Sequence, residues 1–250
     1  MRALQRKLLV SRTTKRLTIV GYNARHPRLR YFERTVEQVK PLYGCLTVHL
    51  PLPFSMPDLR LRYEGATVKV LERKTISYQG GKVDYPAALR QYIELAREVA
   101  TAWRLEENYQ RGPHRIVVTD MLEADGHRVW SPASTSHHPD GYVVIQEPLF
   151  GVLSAMQRFF ILLHEGCHLM TGSRDEEACD RFAGRICAEQ GYSLQECLNA
   201  MEAMFLAYPA SDSLQDQWAT RMERLYHFLL QYENHNWRAA LQISKACHQQ

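Results

Sequence analysis

Residues 159–170 read Phe-Phe-Ile-Leu-Leu-His-Glu-Gly-Cys-His-Leu-Met, and no other stretch constrains the chain as tightly. On a helix, His164 and His168 are four apart. They lie roughly 40° apart around the axis and one turn apart along it, so one metal ion can take both imidazoles from one face. Glu165 sits about 100° from His164, beside the pair, where it can act on a metal-bound water. Phe159, Leu162, Leu163, Gly166, Leu169 and Met170 cluster opposite the histidines, so the pattern predicts a helix with one packed side and one side on a cleft. Thr171-Gly172-Ser173 is expected to end it. A lone histidine beside an apolar run is usually a core or surface residue. Two at this spacing with a glutamate between them favour a metal site.

Two imidazoles leave a catalytic zinc site short of a third protein ligand. The next helix is expected to open with Asp175-Glu176-Glu177-Ala178-Cys179-Asp180-Arg181-Phe182-Ala183. Glu176 and Asp180 share a face. One of these carboxylates can bind the metal, and the other can accept a hydrogen bond from a ligand histidine and fix its tautomer. An acidic first turn also suits the helix dipole, and Asp175 and one glutamate are expected to serve that end.

His-Glu-x-x-His followed by Glu-x-x-x-Asp-Arg-Phe-Ala resembles the glutamate-type zincin metallopeptidases, the gluzincins. It is similar to the ImmA/IrrE family, with Glu-x-Glu-Ala-Asn-x-Phe-Ala here, and more distantly to the HtpX/CAAX-prenyl-protease type, with Glu-x-x-Ala-Asp. Phe182-Ala183 match directly, while Ala178 and Cys179 depart from the patterns as small residues. The resemblance implies one Zn2+ held by His164, His168 and Glu176, with Asp180 behind a histidine and Glu177 as the fallback ligand. It implies peptide hydrolysis with Glu165 as general base, and regulated cleavage of a specific protein. For the oxyanion stabiliser the chain offers His137, His138, Tyr226, His227 and Arg181.

The expected fold class is α+β. A zincin-like core over 86–191 would comprise a helix, a small three-stranded sheet, the histidine helix and the Glu-bearing helix. A β-leaning basic region over 1–85 precedes it, and a helical region over 192–250 follows. Within 1–85, Leu17–Val20 and Leu46–Leu50 read as strands, and Ala66–Leu71 and Thr75–Tyr78 as the arms of a hairpin. The prolines of 51–57 predict loop, and 29–40 predicts a short helix. A helix is expected from Pro86 to about Tyr109, stopped by Gly112-Pro113. Strands are expected over Arg115–Asp120, around Arg128–Trp130 and over Gly141–Gln146, with loop over Pro132–Asp140. Tyr142–Gln146 is the expected edge for an extended substrate to pair along. Ser193 with Glu196 forms a capping box for a helix to about Ala207, and helices over 214–232 and 236–247 complete the chain.

Composition narrows the alternatives. Hydrophobic content of 45% and charged content of 23% describe a folded chain. No apolar run reaches membrane-spanning length and no secretory signal is apparent, so a cytoplasmic protein without a membrane partner is expected. The six cysteines contain no Cys-x-x-Cys pair. Most are expected to be buried free thiols, with Cys167 and Cys179 near the site as core filler rather than redox groups. Net charge is +4, but residues 1–40 hold eleven Lys/Arg against two Glu. That segment is either a solvated arm or the contact for an anionic partner such as nucleic acid. Two rival functions follow. One is a nucleic-acid-associated or protein-binding module with a structural metal. The other is a metal-dependent hydrolase of a non-peptide amide.

Overall fold

The structure is a computed structural model, and it describes residues 2–11, 15–37, 45–52, 56, 58–77, 85–124, 127–136, 141–205 and 217–231. It is α+β, with several small sheets rather than one large one. In chain order come β1 (Arg2–Val10), β2 (Arg16–Asn23), β3 (Arg30–Glu37), β4 (Cys45–Leu52), β5 (Leu59–Glu64) and β6 (Val68–Ser77). Then follow α1 (Ala87–Thr101), β7 (Asn108–Arg111), β8 (His114–Thr119), β9 (Leu122–Ala124), β10 (His127–Val129), β11 (Ala133–Ser136) and β12 (Tyr142–Gln146). The helices α2 (Glu147–Phe150), α3 (Ala155–Thr171), α4 (Glu176–Glu189), α5 (Leu194–Phe205) and α6 (217–231) complete the described chain.

The N-terminal strands form two antiparallel three-stranded sheets, ordered β4-β1-β6 and β3-β2-β5. Leu4, Leu8, Val10, Leu17 and Ile19 alternate along β1 and β2 and are all buried. A period of two suits a sheet with one face inward, and these residues supply it.

Three expectations fail in this region. Residues 30–37 are strand β3, not helix: β3 pairs with β2 along its length, Leu17 opposite Val36, and Tyr31 and Phe32 are buried in the core. Ladder pairing thus overrides a weak local helical preference. The two supposed hairpin arms share one strand, β6 (Val68–Ser77), which runs on opposite β1 with a register shift at Lys7/Leu8. Strand β4 continues through Pro51 to Leu52, because it lies at the sheet's edge, where a proline need not donate on its open side. Gly80-Gly81, a pair that the sequence predicts as a turn, lies outside the described residues.

The sheet nearest the histidine helix also differs from expectation. It has four strands in the order β11-β12-β8-β7, and β9 and β10 form a separate ribbon. β12 runs parallel to β8, Val143 opposite Ile116, and antiparallel to β11, Ala133 opposite Ile145. Residues 133–136, expected as loop, are therefore the edge strand, and β12 is interior. Helix α1 ends at Thr101 rather than near Tyr109, and Asn108–Arg111 instead pairs with β8 around Gly112, whose φ is +58°. That positive φ makes Gly112 part of a hairpin turn as well as a stop.

Helix α3 forms where the apolar spacing places it. Ser154 caps it with Gln157 in a reciprocal box, and Gly172 closes it in the left-handed conformation at φ +64°. It is not half-exposed as the pattern suggested. From Ala155 to His168 every residue but Gln157 is buried, because elements pack on its histidine side as well as behind it. Asp175 caps α4 by accepting from the Ala178 N–H, and Ser193 with Glu196 opens α5 as expected. One hydrophobic core runs from Leu4 to Leu229, through all three expected regions. The helix expected over 236–247 lies outside the described residues. Among the described residues, no helix is long and apolar enough to cross a membrane.

Candidate metal centre

Helix α3 presents His164 and His168 with their Nε2 atoms 3.1 Å apart. Glu176, first residue of α4, sets Oε2 at 3.2 Å from His164 Nε2 and Oε1 at 3.4 Å from His168 Nε2. Bonds of about 2.0–2.1 Å in a tetrahedron put neighbouring donor atoms about 3.3 Å apart. The three separations match that spacing. His164, His168 and Glu176 form a group that can hold a metal ion.

Proton placement points the same way. His168 Nδ1 lies 2.7 Å from the Ser173 carbonyl oxygen, so this nitrogen donates and Nε2 carries the lone pair. Asp180 Oδ1 lies 2.9 Å from His164 Nδ1, close enough for charge pairing though out of line for a hydrogen bond. A carboxylate there draws the neutral ring's proton to Nδ1. In the neutral rings two lone pairs then face each other beside a carboxylate, an arrangement that a cation relieves. The donor set therefore fits a divalent metal, and its nitrogen and oxygen character suits zinc.

Electrostatics at the three candidate ligands are coupled. Burial disfavours charge on His164, but the Asp180 and Glu176 carboxylates outweigh it and lift the imidazole to about 9. His168 is also raised, chiefly by Glu176. Glu176 is held well below the usual carboxylate range by His164 first, then His168, with Arg221 adding to the effect.

Glu165 is 7% exposed and borders the same cleft, whose volume is about 380 Å3. Thr135 of β11 places its hydroxyl 2.8 Å from both Glu165 Oε2 and the Glu165 backbone carbonyl oxygen. This hydroxyl ties the edge strand to α3 and orients the carboxylate. Nothing in the sequence near Thr135 announces that contact, since 30 residues separate the partners.

Arg221 of α6 was also missed. Its Nε and Nη2 each donate to Asp180 at 2.8 Å, and its Nη1 lies 3.0 Å from Glu176 Oε2. One fork-shaped guanidinium therefore holds two carboxylates of α4 at once. Glu177, the fallback ligand, points elsewhere and pairs with Arg181 and Arg224. Arg181 is thereby engaged away from the cleft. Tyr226 and His227 are exposed, stack edge-to-face on one another, and do not line the cleft. His137 and His138 lie outside the described residues. Cys167, Cys179, Cys187 and Cys197 are free and buried. Cys179 Sγ lies 3.4 Å from His168 Nδ1, and a hydrogen bond with Cys179 draws the Cys167 thiol down to about 7.

No family model, curated protein or solved structure matches this chain.

Proposed function

We propose that the protein is a zinc-dependent metallopeptidase of the gluzincin type, with an ImmA/IrrE-like arrangement over 86–191. The observation that carries this reading is the meeting of His164, His168 and Glu176 within 4.8 Å of one another, with the Glu165 carboxylate in the same cleft. His164, His168 and Glu176 would hold the ion. Zinc, when bound there, supplies Lewis acidity and lowers the pKa of a water in the remaining position.

The chain's own groups do the rest. Glu165 takes a proton from the attacking water and returns it to the leaving amine nitrogen. Thr135 holds the Glu165 carboxylate in place for both transfers. Asp180 keeps the His164 ring oriented, and Arg221 keeps Asp180 and Glu176 oriented.

A peptide substrate is favoured over a small amide by β11. Among the described residues this strand pairs on one side only, with β12, and Ala133, Ser134 and Thr135 border the cleft. An extended peptide can add to that open edge and pass the Glu165 carboxylate. The edge is thus β11, not the Tyr142–Gln146 strand named from sequence. The reading extends to cleavage of a particular protein, as the resemblance implies.

Zinc content and hydrolysis of a mixed peptide library test the assignment together. Glu165→Gln is expected to keep stoichiometric zinc and to lose hydrolysis by at least about a hundredfold, the scale of a positioned acid–base group. Glu176→Ala is expected to lose the metal. Full hydrolysis by Glu165→Gln would remove the proposed base. Undiminished zinc in Glu176→Ala would remove the proposed ligand.

A further inference from the structure

A second cavity, of about 560 Å3, lies between the β3-β2-β5 sheet and the start of α3, with Arg28, Arg30, Arg62, Arg158, Trp103 and Glu147 on its lining. The size is that of a small-molecule site. Its least ordinary feature is Arg158, which is 5% exposed. Nε donates to the Phe150 carbonyl oxygen at 3.1 Å, Nη1 to Ala102 at 3.0 Å and Nη2 to Gly151 at 2.5 Å. These carbonyls belong to the ends of α1 and α2, so the guanidinium caps two helix C-termini.

That role leaves much unanswered. A guanidinium carries five N–H donors, and three of them are engaged among the described residues. No carboxylate of the described residues pairs with it, and burial alone drags it down to about 10. A buried cation without a counter-ion is costly, and an anion in the adjoining cavity would relieve the cost.

The rest of the lining describes the anion. Arg28 is exposed, and no contact engages its guanidinium among the described residues. Arg30 and Arg62 pair with Glu33 and Glu64, but these are solvent-screened surface pairs that yield readily to a stronger acceptor. Arginine forks suit phosphate oxygens. Trp103 is 40% exposed with one ring face stacked on His26 at 4.6 Å, and Val152, 70% exposed, shares the lining, so the cavity also offers apolar surface. Glu147 supplies one acceptor, the complement of a sugar hydroxyl. A group of cations, an aromatic wall and a single carboxylate match the three parts of a nucleotide.

We propose that this cavity binds a nucleoside phosphate, with the phosphate on Arg28, Arg62 and Arg158 and the base against Trp103. The same chemistry is offered by a free nucleotide and by the end of a single strand, and the titration separates them. Adenosine monophosphate, inorganic phosphate and a short single-stranded oligodeoxynucleotide are each titrated calorimetrically into the full chain. Saturable binding of adenosine monophosphate, tighter than that of phosphate, is expected. In the Arg28→Ala/Arg62→Ala double variant, whose changes are at exposed positions, it should weaken by about tenfold or more, as charge-assisted contacts are lost. Arg158→Gln should weaken it further, and a melting curve on that variant reports whether its helix-end contacts still fold. No saturable binding of adenosine monophosphate, or binding that the double variant leaves unchanged, overturns the proposal. Oligonucleotide binding without mononucleotide binding overturns it too, because it would place the contact on an extended surface instead of in this cavity.

Discussion

Glu176 sits among two imidazoles and a guanidinium, and this crowding sets the proton balance of the site. The His164 imidazole is lifted from an ordinary 6.5 to about 9. In the metal-free protein the folded state therefore holds a proton that the unfolded chain releases. Stability from this source is fully present below about pH 6.5 and is lost as pH rises through about 9. Thermal melts of chelator-treated protein are expected to show a falling midpoint across that window, with a shallower fall in His164→Gln. An identical slope in the two proteins would locate the effect elsewhere. Zinc must also displace that proton, so loading at neutral pH should release protons, which calorimetry in buffers of different ionisation enthalpy measures. At this scale the spacing of His164, Glu165 and His168, and the offset to Glu176 and Asp180, could be read in advance. They lie on two helices whose periods fix which side chains share a face. Thr135 and Arg221 could not be read, because no periodicity links them to partners 30 and 41 residues away.

Helix α3 carries an unusual load for one element, since it supplies two ligand candidates, the candidate base and the centre of the core. Gly166 explains how it fits. A Cβ at that position would lie 2.0 Å from Tyr92 Cε1, and the fully buried Tyr92 donates its hydroxyl to the Leu162 carbonyl oxygen. The glycine lets α1 cross α3 at close range beside the histidines. Gly166→Ala is expected to cost about 1–3 kcal/mol through overpacking, and more than offset its better helix propensity. Urea unfolding measures this; a variant as stable as the parent would mean that Tyr92 can swing aside freely. Helix α3, its Gly172 end and α4 were legible in the sequence, as long apolar spacing and glycine stops are local signals, whereas the Ser154 cap came only with the structure. The strands of 30–37 and 133–136 were not, since short segments take their form from the neighbour they pair with.

Over the whole molecule, the decisive contribution comes from α6, which brings Arg221 back across α4. Asp180 is 2% exposed and lies against both His164 and Arg221. Arg221→Leu is expected to lower zinc affinity by about 10–100-fold, the usual effect of losing a group that orients a ligand. Competition with a chromogenic chelator measures it, and an unchanged affinity would make α6 a bystander to the metal. The core is likewise shared, running from the N-terminal sheets into the helices, and Arg34 of β3 pairs with Glu196 of α5. The basic bias of residues 1–40 was plain in composition. Its meaning changed once the β2–β3 turn and β3 carried Arg28 and Arg30 to the lining of a cavity that Arg158 of α3 shares.

By itself, then, the sequence determined the α+β class, the spacing on α3 and α4 that can hold a metal, and the glycine stop after α3, because each follows from contacts within a few residues. Only the tertiary structure decided which strand is the open edge, which hydroxyl holds Glu165, and which arginine spans Asp180 and Glu176. Those outcomes depend on where distant segments meet, and that is set by packing the whole core at once.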